Sequence, residues 1–133
     1  MTAMLKAIAI PGLLALGLAV CVVAQTEADY PGYMKDVAAT KQKVTKGIAA
    51  KQNADVATDA SHLSDVFKQV GAFWTARNTP DAVAFAKTAE TAASDISAAA
   101  KAGDDAKMAS SLQALNGTCA GCHMAHRDGN KIK

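Results

Sequence analysis

The sequence predicts an all-α fold, an antiparallel up-down-up-down four-helix bundle, and three observations carry that prediction. Alanine is abundant while Gly and Pro are sparse (9 and 3 of 133 residues) and β-branched runs are absent. Four stretches of about 20 residues place their apolar side chains at steps of three and four. Only a few residues join one stretch to the next, too little chain for a crossover, so consecutive helices must run antiparallel. Three Cys are too few for a disulfide-stapled miniprotein, and half of the residues are hydrophobic, too many for a disordered tail. The 14 Lys+Arg against 12 Asp+Glu form no cationic block, so no nucleic-acid footprint is expected.

The first 24 residues stand apart from this pattern. Met1 to Lys6 gives a short positive start, Ala7 to Val20 is apolar apart from its Pro and Gly residues, and Val22-Val23-Ala24 suits a processing site. Residues 1–24 therefore read as a secretory signal peptide cleaved after Ala24. The apolar run is short for a spanning helix, and Pro11-Gly12 weakens it further. Cys21 behind Leu18-Ala19-Val20 gives a lipoprotein reading, for which valine fits poorly just before the cysteine. Residues 25–133 are then the working domain, exported, most simply to a bacterial periplasm, with no further membrane-length segment.

The helices follow in order. Met34, Val37, Val44 and Ile48 stripe helix A, about 32–51, with Lys41 interrupting. Val56, Ala60, Leu63, Phe67, Val70 and Trp74 form the seam of helix B, about 54–77. Asn78-Thr79-Pro80-Asp81 supplies a left-handed stop, an N-cap hydroxyl, a first-turn proline and an acid at the positive helix end, so helix C starts there. Its stripe is Ala82, Phe85, Ala89, Ala92, Ile96 and Ala99, and it ends near Ala102-Gly103. Asp104 caps helix D, with the stripe Met108, Leu112, Leu115, Cys119, Cys122 and His126 before a polar tail, Asp128 to Lys133.

One motif is specific. Cys119-Ala120-Gly121-Cys122-His123 is C-x-x-C-H. Two thiols three residues apart lie on one side of a helical turn, where they can bond the two vinyl groups of a haem while the adjacent imidazole meets the iron. The expected cofactor is one covalently attached haem c, held by Cys119 and Cys122 with His123 as proximal iron ligand. A redox dithiol would want its first cysteine at a helix start in a βαβ setting. A zinc set of Cys119, Cys122, His123 and His126 would need four ligands from one short helical stretch to surround a tetrahedral ion, although successive side chains point about 100° apart.

A C-terminal C-x-x-C-H on the last helix of an exported four-helix bundle resembles the class II cytochromes c, the cytochrome c-prime family and its low-spin relatives. In motif the resemblance covers Cys119 to Arg127, where His126 stands in place of the family's usual aromatic. The Arg-Gln pair usual in helix A is replaced at its nearest match by Lys41-Gln42. The resemblance implies haem at the C-terminal end of helix D, shuttling of single electrons by Fe(III)/Fe(II) cycling, redox partner proteins, and a helix-packed homodimer as one assembly. No enzymatic chemistry is required of such a carrier.

Up-down-up-down topology brings the end of D beside the start of A, the end of B and the start of C. Pocket candidates are therefore Tyr33, Met34 and Val37, then Phe73, Trp74 and Arg77, and then Phe85. His62 and Met108 are expected at the other end. Met34 is the candidate distal iron ligand, on helix A where low-spin relatives place their axial Met; the same side chain also reads as a gap-filling core methionine. Without that bond the iron would be five-coordinate and open to NO or CO, as in cytochrome c-prime proteins. Trp74 reads as a large core side chain packing over the haem edge, or as having a specific redox or hydrogen-bonding role. Arg77 and Arg127, the only arginines, read as propionate partners or as solvated helix termini. His126 reads as a surface or partly buried helix residue, or as a functional proton site. Lys35, Lys41, Lys43, Lys46 and Lys51 read as a solvated face or a docking site for an acidic partner. Gly117 and Gly121 read as relief of crowding beside the cofactor, or Gly117 as a kink.

Overall fold

A computed structural model describes residues 25–133; the signal-peptide and Cys21 readings fall on residues outside it. Four helices follow one another, α1 (Tyr30–Ala49), α2 (Asn53–Ala76), α3 (Pro80–Ala102) and α4 (Asp105–His126), and pack against each other as a four-helix bundle. Among the described residues no helix is long and apolar enough to cross a membrane. The polar tail is not featureless. Arg127–Asp128 (β1) and Lys131–Ile132 (β2) pair as a small antiparallel hairpin, Arg127 opposite Ile132 and Asp128 opposite Lys131. Ile132, the lone apolar residue of that tail, packs against the core.

Local chemistry sets the helix ends. Proline occupies the first turn of α1 and of α3, where a missing N–H costs nothing. Asn78 (φ 53°) and Gly103 (φ 69°) turn the chain through left-handed conformations after α2 and α3. The Asp104 carboxylate accepts from Lys107 N at 2.9 Å and caps α4 as expected. Thr79 does not cap α3: its hydroxyl donates instead to Arg77 O at 3.3 Å. α1 stops at Ala49, short of the expected end, because Lys51 takes φ 59°.

The strongest pairing is α2 with α3. Ala82, Ala86, Ala89 and Ala93 are buried along α3, and alanine lets two backbones come close. Ser97 Oγ donates to Ala57 O at 2.7 Å and Ser64 Oγ to Glu90 O at 3.2 Å, so both buried hydroxyls are satisfied by the facing helix. Leu63, Phe73, Ile96, Met108 and Leu115 fill the centre. The seam of α1 is Val37, Thr40, Val44 and Gly47 rather than the expected stripe, with Met34 and Ile48 only partly buried beside it. Lys41 therefore flanks the seam instead of breaking it.

Gly47 is in the seam because it has no side chain. A Cβ there would stand 2.7 Å from Val56 Cγ2, and a β-branched valine has few rotamers in which to retreat. Gly47→Ala is expected to lower stability by about 1–2 kcal/mol despite alanine's higher helix propensity, since overpacking outweighs that gain. Urea titration checks this, and Gly47→Ala combined with Val56→Ala should lose less than the two single losses added.

The remaining pair differs in kind. α1 and α4 touch little. Lys41 Nζ donates to Asn116 Oδ1 at 2.8 Å, Lys51 pairs with Asp105 nearer the loops, and between these helices the bundle opens.

Candidate functional site

A cavity of about 890 Å³ lies in that opening. Its walls are α1 (Met34, Val37, Lys41) and α4 (Cys119, Cys122, His123), while Phe67 and Val70 of α2 and Phe85, Ala86 and Ala89 of α3 form the floor. The C-terminal hairpin closes one end with Arg127, Asn130, Lys131 and Ile132. An apolar floor and walls with a few convergent polar groups, at this volume, suit a cofactor-sized ligand.

Helix register places Met34. Lys41 and Asn116 mark one level of the antiparallel α1–α4 pair. About two turns toward the start of α1 lie between Lys41 and Met34, and the same rise toward the end of α4 separates Asn116 from His123. Met34 and His123 both line the cavity, one from α1 and the other from α4. Cys119 and Cys122 are half-buried and unbridged on the α4 side.

The cavity shapes the ionisation of these groups. Burial, with Cys119 and Asp81 nearby, pushes the Cys122 thiol up to about 11, and burial raises Cys119 as well. Both are neutral thiols at neutral pH. Partial burial together with the Arg127 and Lys41 cations holds His123 below the ordinary imidazole range, which keeps it a neutral, ligand-competent base. Because only the thiolate is alkylated, the haem-free chain should react with iodoacetamide at Cys122 on the order of a hundredfold more slowly than free cysteine at pH 8. The rate should climb roughly tenfold per pH unit until about pH 11, followed by mass spectrometry of that peptide.

The structure brings Cys119, Cys122, His123, Met34 and Arg127 to one cavity, and it does not bring Trp74 or Arg77 there. Trp74 is 2% exposed behind the wall, donating Nε1–H to Tyr30 Oη at 3.2 Å. Arg77 pairs with Glu27 and lies over the Phe73 ring at 4.7 Å. Tyr30, one turn before Tyr33, lines the cavity in its place. His62 faces Asp36 on α1 at 3.0 Å and Met108 is fully buried in the core; neither lines the cavity. Lys35 and Lys41 stand on the cavity wall, and Lys51 is engaged by Asp105.

His126 carries more than its sequence position suggested. Its side chain is 13% exposed, Nε2 lies 2.8 Å from Asp81 Oδ2, and its ring packs against Trp74 (5.1 Å between centroids) and Phe85 (6.5 Å). The hairpin's contribution was also missed; Ile132 between two lysines was the one signal for it.

The residues fit a large planar cofactor. A Cβ on Gly121, between the two cysteines, would stand 2.9 Å from Phe85 Cε1, so the glycine lets that ring lie along the cavity floor directly under the motif. Gly121 thus makes room for a protein ring, while Gly117 has nothing within 4 Å and α4 runs through it unbroken. Among the described residues no three His, Cys, Asp or Glu side chains form a metal-holding group. Comparison with protein-family models, with curated proteins and with solved structures finds no match.

Proposed function

We propose that the chain is an exported c-type cytochrome with one haem, carrying single electrons between redox partner proteins of the periplasm. The observation that supports this most is the meeting, on one cavity, of both cysteines and the histidine of C-x-x-C-H with a methionine from α1. When bound, haem supplies a one-electron Fe(III)/Fe(II) couple.

The chain's own residues hold and tune that group. Cys119 and Cys122 tether it through thioether bonds at the C-terminal end of α4. His123, kept neutral, offers a nitrogen lone pair as proximal ligand, and Met34 offers a thioether as distal ligand. The apolar floor, with Phe85 along it, would shield a bound cofactor from water on that side. Arg127 and Lys131 line the hairpin end of the cavity and would offer cations to carboxylates of the cofactor. Arg77 and Trp74, named with these on sequence grounds, act from behind the wall through Glu27 and Tyr30. A cofactor tethered by the two cysteines and held by His123 and Met34 would need no substrate site, which suits a carrier better than an enzyme. The Lys35 and Lys41 side of α1 suits an acidic partner protein.

The test is production of the full chain in cells with haem-ligation machinery. The expected product is heavier than residues 25–133 by one haem, has a Soret band that survives denaturation, and titrates reversibly with one electron. A polypeptide no heavier than its amino acids overturns the proposal.

A further inference from the structure

We propose that His126 is a positioning residue: by donating Nε2–H to Asp81 it locks the last turn of α4 onto the first turn of α3 and fixes a carboxylate beside the motif, thereby setting the potential of the carrier. This rests on the haem reading above and adds to it a residue pair that the motif does not contain.

Three observations converge on His126. First, its ring is gripped between Trp74 and Phe85, side chains of α2 and α3, so its orientation is fixed by packing as well as by the 2.8 Å contact. An aromatic residue would satisfy the packing alone; only a side chain with an N–H adds the bond to Asp81. Second, the backbone at the same residue carries the hairpin, since Lys133 N donates to His126 O at 3.0 Å. One residue thus joins α4 to α3 through its side chain and to the C-terminal strand through its carbonyl. Third, His126 stands three residues after His123 on α4, so the carboxylate it holds at 2.8 Å lies beside the motif.

The electrostatic consequence has a sign. A fixed negative charge near the iron favours the more positive, oxidised state and lowers the potential. The hydrogen bond from His126 places a positive N–H dipole against that charge and moderates it. Removing the acid should therefore raise the potential, and removing the donor while leaving the acid should lower it.

The experiment uses the haem-loaded protein and reads midpoint potential and urea unfolding together for Asp81→Asn, His126→Phe, His126→Gln and the Asp81→Asn/His126→Phe pair. Asp81→Asn is expected to raise the potential and His126→Phe to lower it. A tenfold change in the oxidised-to-reduced equilibrium corresponds to about 59 mV for one electron. His126→Gln, which keeps an N–H donor, should return toward wild type. The double variant should match Asp81→Asn alone, because a neutral amide leaves nothing for the donor to moderate. Unfolding midpoints that fall while all potentials stay at wild type would reduce the pair to a brace and overturn the inference, as would additive shifts in the double variant. Failure of the wild-type chain to gain haem would overturn the function proposal itself, a result distinct from either.

Discussion

Replacing Cys119 and Cys122 together by serine is expected to abolish covalent haem capture completely, from one haem per chain to none that survives denaturation. Serine matches cysteine in shape but its hydroxyl does not replace a thiol in thioether formation. The loss should be chemical and not structural. Both cysteines are half-buried on the cavity wall, beyond the last fully buried residue of α4, Leu115. The haem-free double variant should thus unfold within about 0.5 kcal/mol of the haem-free parent, as expected away from a packed core. Intact-protein mass after acid denaturation reads the first quantity and urea titration the second. A variant that keeps a denaturation-resistant Soret band would remove these two sulfurs from the account.

Met34→Ala is expected to change the spin state. With a thioether on the wall opposite His123, the parent should be low-spin in both oxidation states and slow to take up CO when reduced. The alanine variant should become five-coordinate and high-spin when reduced, bind CO readily, and lose the elevation of potential that a Met ligand confers. Partial burial bounds the packing cost: about 1–2 kcal/mol, less than the 2–5 of a fully buried methionine. If the parent is already high-spin and Met34→Ala costs only that stability, the residue is a packing methionine and the chain is better read as binding NO or CO. Absorption spectra of the reduced proteins with and without CO separate the two outcomes.

Which parts of this were legible in sequence follows from the range of the forces involved. Helix periodicity is local, and the four helices, the Asn78 turn, Pro80 and the Asp104 cap came from it with boundary shifts of a few residues. Met34 could be assigned to the motif's end of the bundle because short loops fix the topology. The Lys41–Asn116 contact beside the opening is a different case, since no periodicity encodes a register between helices far apart in the chain. The same gap hid the role of Lys41, which looked like a flaw in a stripe and is a strut beside it. Hydropathy averages likewise missed Ile132, a single apolar residue in a polar tail, and the Asp81–His126 pair, whose members lie on different helices. Thr79 failed as a cap because its hydroxyl found a nearer carbonyl, a local competition among hydrogen bonds that residue type does not decide.

The unequal pairing of the helices has a mechanical outcome. With α2 and α3 stitched by alanines and two serine hydroxyls, and α1 and α4 joined by a few polar struts, the outer helices are tied to the central pair far better than to each other. Were the proposed flat guest to occupy the opening and bear on both, the seam that is weakest in the bare polypeptide would become the one its cargo reinforces.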